Sequence, residues 1–148
     1  CFCPENSVLR SLIDHVMLER DEAVLVDMEA GLEQFGRSTC RGVDLLMVIV
    51  EPGARSVDTA GRIVALAGEM GIGRTAIVAN GVRDEKDETA VRRLLSAHSL
   101  ELTHALPYSH AVALADLEGR SLFEGCSSDD WTRAVRELSD RILKMMAE

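Results

Sequence analysis

The chain has 148 residues, the length of one domain and enough to bury a sizeable core. Hydrophobic residues make up 47% and charged residues 28% of it, and no stretch has the apolar length of a membrane span. The net charge of −9 argues against a nucleic acid partner, and four irregularly spaced cysteines do not resemble a secreted disulfide framework. We therefore expect a soluble protein of the reducing cytoplasm, with no nucleic acid or membrane partner.

The first part of the chain predicts a helix followed by a strand. Apolar residues recur at helical spacing from Val8 to Val16. The segment AVLVD (23–27) is a short apolar run typical of a strand, and it ends on Asp27. The segment GLEQFGR that follows predicts a brief helix or turn.

The middle of the chain alternates strands with helices. DLLMVIV (44–50) predicts a strand that is apolar on consecutive positions, as expected when both faces are covered. SVDTAGRIVALAGEM (56–70) predicts a helix with Ser56 as its N-cap. RTAIVAN (74–80) predicts the third strand, and DETAVRRLLSAHS (87–99) predicts the next helix.

The end of the chain predicts a fourth strand, ELTHALP (101–107), and a last helix from a cap within Ser127–Asp130 to about Met146. The apolar stripe of that helix consists of Trp131, Val135, Leu138, Ile142 and Met145. Strands that alternate with helices are typical of βαβ units. We therefore expect residues 1–148 to form a single α/β domain, with a parallel sheet and helices on both faces.

Polar residues follow each predicted strand. Asp27 ends the first, the Pro-Gly turn EPGARS (51–56) follows the second, Asn80 ends the third and LPYS (106–109) follows the fourth. Ligands of parallel sheets bind at the carboxyl ends of the strands, where an acid, an amide and an aromatic residue suit a nucleotide with Mg²⁺. The alternative is that polar residues simply end strands and begin turns.

Three long stretches and one short motif carry a specific resemblance. They are VLVDMEAGLEQFGR (24–37), GVDLLMVIVEPGARSVDTAGRI (42–63), VANGVRDEKD (78–87) and the opening CFCP. Together they resemble the MinD/ParA-type deviant P-loop ATPases. Within these they are most similar to the CooC-like carbon monoxide dehydrogenase accessory ATPases, which insert nickel. The resemblance covers almost the whole chain and implies a P-loop NTPase-like, three-layer α/β/α fold.

The resemblance also implies roles for five residues in binding ATP with Mg²⁺. Asp27 would be the switch II acid near Mg²⁺, and Gly31 would lie near the terminal phosphate. Asn80 would recognise adenine, and Pro107 and Tyr108 would lie beside the base.

Two features depart from that family. Gly81 stands where many relatives have Lys after the adenine-binding Asn, which removes packing over the base. No G-x-x-x-x-G-K-[ST] loop is present to cradle the phosphates, and neither Lys86 nor Lys144 follows a glycine loop. We therefore interpret the chain as the C-terminal portion of such an ATPase, with the P-loop strand absent. Alone, it should not hydrolyse ATP at a useful rate.

Cys1 and Cys3 form a Cys-x-Cys pair that can bind one soft ion. Two thiolates satisfy only half of a tetrahedral ion, and a symmetric dimer would supply the other two. The spacing alone favours two reduced cysteines without a ligand, although Zn²⁺, Ni²⁺ and Cu(I) would all suit such a site. The resemblance implies a four-thiolate Ni or Zn site shared by the two subunits of a homodimer.

These observations lead to one main hypothesis and two alternatives. The main hypothesis is an ATP-dependent metallochaperone that matures a nickel enzyme of the carbon monoxide dehydrogenase type. The alternatives are a MinD/ParA-type ATPase of another role and a non-catalytic interaction module on an α/β scaffold. A membrane-positioning ATPase would carry a basic amphipathic tail, whereas the tail RELSDRILKMMAE is mixed in charge.

Overall fold

The computed structural model describes residues 23–28, 43–122 and 130–147. Within these ranges, strands and helices alternate along the chain. They are β1 (Leu46–Val50), α1 (Ala54–Glu69), β2 (Thr75–Val82), α2 (Glu85–Ser96), β3 (His104–Pro107), α3 (His110–Leu117) and α4 (Asp130–Ala147).

The described strands form one parallel sheet in the order β1-β2-β3. Val48 of β1 pairs with Ile77 of β2, and Val78 of β2 pairs with His104 of β3. The central strand β2 is buried on both faces, as the unbroken apolar run in the sequence predicts.

Helices cover the two faces of this sheet. On one face, Val57 of α1 and Leu95 of α2 pack with Val50 in a single buried cluster. On the other face, Leu138 of α4 packs with Val78. The predicted α/β fold, with a parallel sheet between two helical layers, is confirmed.

Polar contacts fix α4 against the sheet at several points along the helix. Arg74, just before β2, donates to the backbone carbonyl of Met145 at 2.8 Å, and Arg141 donates to the carbonyl of Thr103. The ring nitrogen Nε2 of His104 lies 2.9 Å from the carbonyl oxygen of Ala134. Because Arg74 holds the C-terminal end of α4 at the amino end of β2, the N-terminal end of α4 lies towards the carboxyl ends of the strands.

None of the described helices is both long and apolar enough to cross a membrane.

Helix α1 begins earlier than the sequence predicts. Its N-cap is Gly53, which makes no side-chain hydrogen bond, so the prediction of Ser56 as the cap is wrong. The hydroxyl oxygen of Ser56 instead accepts a hydrogen bond from the backbone N–H of Glu51 at 3.0 Å. A hydroxyl in the first turn can bond back to the preceding loop, and here it closes the Pro-Gly turn after β1.

Residues 23–28 do not form the strand predicted at 23–27. The segment belongs to no strand of the described sheet, and the side chain of Leu25 is 84% exposed. Val48 pairs with Ile77, not with Leu25. An extended segment gains the hydrogen bonds of a strand only beside a partner strand, and residues 23–27 pair with none of the described strands.

Helix α3 was not predicted from the sequence. Ser109 is its N-cap, and the hydroxyl oxygen accepts a hydrogen bond from the backbone N–H of Val112 at 3.3 Å. The helix has only eight residues and directly follows a strand that ends in Pro107. The sequence does carry a signal for this helix, because Ser109 precedes an Ala-rich run and a Ser in that position is typical of a helix start.

A bulge between Ala79 and Val82 shifts the register of β2 against β3. Gly81 lies in this bulge with a φ of +73°, a left-handed conformation that costs residues with a Cβ about 1–2 kcal/mol. We therefore expect Gly81→Ala to lower the free energy of unfolding by about 1–2 kcal/mol in urea denaturation. The open space around Gly81 rules out a steric clash as the cause.

Gly68 provides the matched control for that substitution. It lies in α1, and a Cβ added there would meet nothing within 4 Å, so Ala fits the helix without strain. Gly68→Ala should raise the free energy of unfolding by about 0.4–1 kcal/mol. Equal effects of the two substitutions would contradict the conformational explanation for Gly81.

Candidate functional site

A cavity of about 210 Å³ opens at the carboxyl ends of β2 and β3. It brings together Asn80, Pro107 and Tyr108, the three residues expected to surround a nucleotide base. The other described residues that line it are Gly81, Ser109, Val112, Ala113, Asp116, Leu122 and Trp131. Ligands of parallel sheets gather at this edge, so the position agrees with the general rule.

The bulge in β2 shapes the floor of the cavity. The backbone N–H of Tyr108 donates to the carbonyl of Val82 at 2.8 Å, which holds the end of β3 beside the bulge. Asn80 is exposed at the cavity, whereas Ala79 before it is buried. Asn80 therefore places an amide group, with both donor and acceptor atoms, at the rim of the sheet.

Two helices form the walls. Ser109, Val112, Ala113 and Asp116 recur at the spacing of one helical face, so α3 turns one side to the cavity. Trp131 comes from the first turn of α4, which the contacts at the other end of that helix hold in place.

The cavity suits a flat aromatic ring that carries hydrogen-bonding groups. Sites for drug-sized ligands occupy about 300–1,000 Å³, so 210 Å³ has room for a ring system but not for a whole nucleotide. Tyr108 is 52% exposed and Trp131 is half-buried, so both aromatic side chains retain surface for contact with a ring. The amide of Asn80 can both donate to a ring nitrogen and accept from an amino group.

A second concavity of about 370 Å³ has greater volume but no comparable chemistry. Its described lining residues, Glu85, Lys86, Thr89, Ala90 and Arg93, all belong to α2. They form the charged outer face of that helix, and the helix dipole stabilises the acids in its first turn. We therefore assign the candidate site to the smaller cavity at the strand ends.

The remaining predicted site residues lie elsewhere. Asp27 is exposed and precedes Met28, which packs against the cluster of Ala67 and Ile72 at the amino end of the sheet. The structure therefore does not bring Asp27 to the cavity beside Asn80. Its predicted contact with Mg²⁺ stays a prediction.

The predicted metal ligands and the predicted phosphate-side glycine, Cys1, Cys3 and Gly31, lie outside the described residues. Among residues 23–28, 43–122 and 130–147, no group of three or more His, Cys, Asp or Glu side chains could hold a metal ion.

Comparison of the sequence with known proteins identifies an accessory protein and an ATP-binding protein as relatives. No family model matches the chain. The carbon monoxide dehydrogenase accessory protein CooC of Rhodospirillum rubrum is 40% identical over 124 residues, which are 84% of this chain and 46% of CooC. An uncharacterized ATP-binding protein of Methanocaldococcus jannaschii is 38% identical over 82% of this chain and 48% of its own length.

Comparison of the structures identifies the same fold in MinD. A MinD cell division protein of Aquifex aeolicus matches 74% of this chain and 47% of its own chain, with a TM-score of 0.57 and 15% identity. A chain of the MinC:MinD complex of the same organism matches 80% and 49%, with a TM-score of 0.62 and 17% identity.

The chain spans about half the length of the relatives it matches. The resemblance found in the motifs around Asp27, Glu51 and Asn80 is confirmed across most of the chain. The chain is thus a relative of the CooC accessory protein and has the α/β fold of the MinD cell division proteins.

Proposed function

We propose that this chain belongs to an ATP-dependent metallochaperone that serves a nickel enzyme of the carbon monoxide dehydrogenase type in the cytoplasm. The proposal takes its client from the name of the R. rubrum relative, an accessory protein of carbon monoxide dehydrogenase. In this proposal the protein acts as a homodimer, and nickel is its cargo.

The observation that carries the nucleotide part of the proposal is the cavity at the ends of β2 and β3. Three residues expected from the motifs to surround adenine, which come from two different strand ends, line one space of suitable size. If Asn80 only ended its strand, it would have no reason to share a cavity with the aromatic side chain of Tyr108. The ATP-binding protein among the relatives supports the use of a nucleotide.

The mechanism follows from placing the base in this cavity. Asn80 would pair with the base edge, and Tyr108 would lie beside the ring. Asp27 and Gly31 would act on the phosphate side, Asp27 through a water molecule on Mg²⁺. ATP would hold two subunits together, and loss of the γ-phosphate would release the metal or the client, the general logic of nucleotide switches.

The chain has one Trp, so the fluorescence of Trp131 reports on the cavity directly. We expect ATP at millimolar concentration to change this fluorescence, with weak affinity because no phosphate-binding loop is present. Asn80→Ala should weaken the affinity about tenfold, the equivalent of two hydrogen bonds of about 0.5–1.5 kcal/mol each.

Glu101→Ala is the control for this measurement, since Glu101 is exposed and lies before β3, at the end of the sheet away from the cavity. Its titration should match that of the unmodified chain. An Asn80→Ala variant that retains the affinity of the unmodified chain would remove Asn80 from the base site.

A further inference from the structure

The cavity contains a carboxylate that no motif explains. Asp116 is the only charged side chain among the described residues that line it. The described residues give its carboxylate no hydrogen bond or ion pair, although Glu118 nearby pairs with Arg120.

Asp116 is exposed at the cavity, where water can solvate its carboxylate, and helix stability does not account for its position. Asp116 lies in the last turn of α3, where the helix dipole favours cations over anions. The backbone carbonyl of Asp116 accepts hydrogen bonds from the turn that ends the helix, but the side chain takes no part in it. Asp116 completes the face of α3 that begins at Ser109 and borders the cavity.

A carboxylate beside a purine distinguishes the two common bases by simple chemistry. It can only accept hydrogen bonds, and so can the amide oxygen of Asn80. Adenine presents an amino group with two N–H donors at C6, whereas guanine presents a carbonyl oxygen there. The carboxylate of Asp116 and the amide oxygen of Asn80 can therefore both accept from the amino group of adenine. The oxygen at C6 of guanine would face these acceptors without a donor between them, which is costly.

We propose that Asp116 is a specificity-determining residue that, together with Asn80, selects a purine with an amino group at C6 over one with an oxygen there. This inference rests on the proposed nucleotide site. It extends that site to a residue on α3 that the sequence motifs do not identify.

The test uses nucleosides, which probe the base site without the phosphates. Saturation-transfer NMR and Trp131 fluorescence would measure the affinity of the full chain for adenosine, guanosine and N6,N6-dimethyladenosine. We expect the unmodified chain to prefer adenosine to each of the other two by about tenfold. Dimethylation removes both donors at C6 and retains the rest of the adenine ring.

Asp116→Asn keeps the size of the side chain and adds an N–H donor that can pair with the guanine oxygen. It should reduce the preference for adenosine over guanosine to about twofold or less. Asp140→Asn, on the exposed side of α4, is the control and should leave the preference unchanged.

Two results would overturn the inference, and they differ in what they leave standing. An unchanged preference for adenosine in Asp116→Asn would exclude Asp116 as the selecting residue and leave the base site intact. If the unmodified chain bound neither adenosine nor guanosine, the base site itself would be wrong, and the inference would fail with it.

Discussion

Replacement of Cys1 and Cys3 together by Ser should abolish the binding of a soft divalent ion to this chain. Thiolates are the ligands that Ni²⁺ and Zn²⁺ share in closed four-sulfur sites, and Ser hydroxyls do not replace them. Because each chain supplies two thiolates, we expect the unmodified protein to bind about one ion per two chains and to dimerise with it.

The measurement is metal content after purification without chelator, followed by titration with Zn²⁺ and with Ni²⁺ and by determination of mass in solution. The chain offers a matched control, because Cys40→Ser with Cys126→Ser also removes two of the four thiols. That variant should retain the stoichiometry of the unmodified protein. One ion per monomer, or unchanged binding after the loss of Cys1 and Cys3, would contradict a shared Cys-x-Cys site.

The alternation of strands and helices could be predicted because the strand signal was unambiguous. DLLMVIV and RTAIVAN are apolar on consecutive positions, and they form β1 and β2 within two residues of the predicted ends. The strand predicted at 23–27 carries a similar pattern but does not form. A strand requires a hydrogen-bonded neighbour, which its own residues cannot specify.

The cavity could be predicted only in part, for a related reason. Asn80, Pro107 and Tyr108 follow strands, and parallel topology brings strand ends together whatever the helices do. Asp116 and Trp131 come from helices, and the packing of α3 and α4 on the sheet decides where they point. No local motif encodes that packing, which explains why the sequence identified the strand side of the site and missed the helical walls.

The isolated chain should show no ATP hydrolysis above background. Catalysis of phosphoryl transfer depends on positioning and on stabilisation of charge, and no glycine loop with a Lys is present in the 148 residues. We propose that the half of the R. rubrum relative that this chain does not match carries the P-loop, so that fusing this half to the chain should give an active ATPase. In that fusion, Asp27→Asn should lower the rate about 10–100-fold, the usual effect of losing a carboxylate that holds a metal through water.

Asp140→Asn in the same fusion is the control and should leave the rate unchanged, since Asp140 is exposed on α4.

The structure makes this comparison informative, because Met28 anchors the segment of Asp27 at the amino end of the sheet, away from the cavity. A selective loss of activity in Asp27→Asn would therefore require this segment to move to the carboxyl ends when the P-loop half is present. Equal rates for the two variants would show that Asp27 stays where the structure places it and that another group holds Mg²⁺. Robust hydrolysis by the isolated chain would contradict the assignment of the phosphate site to a P-loop.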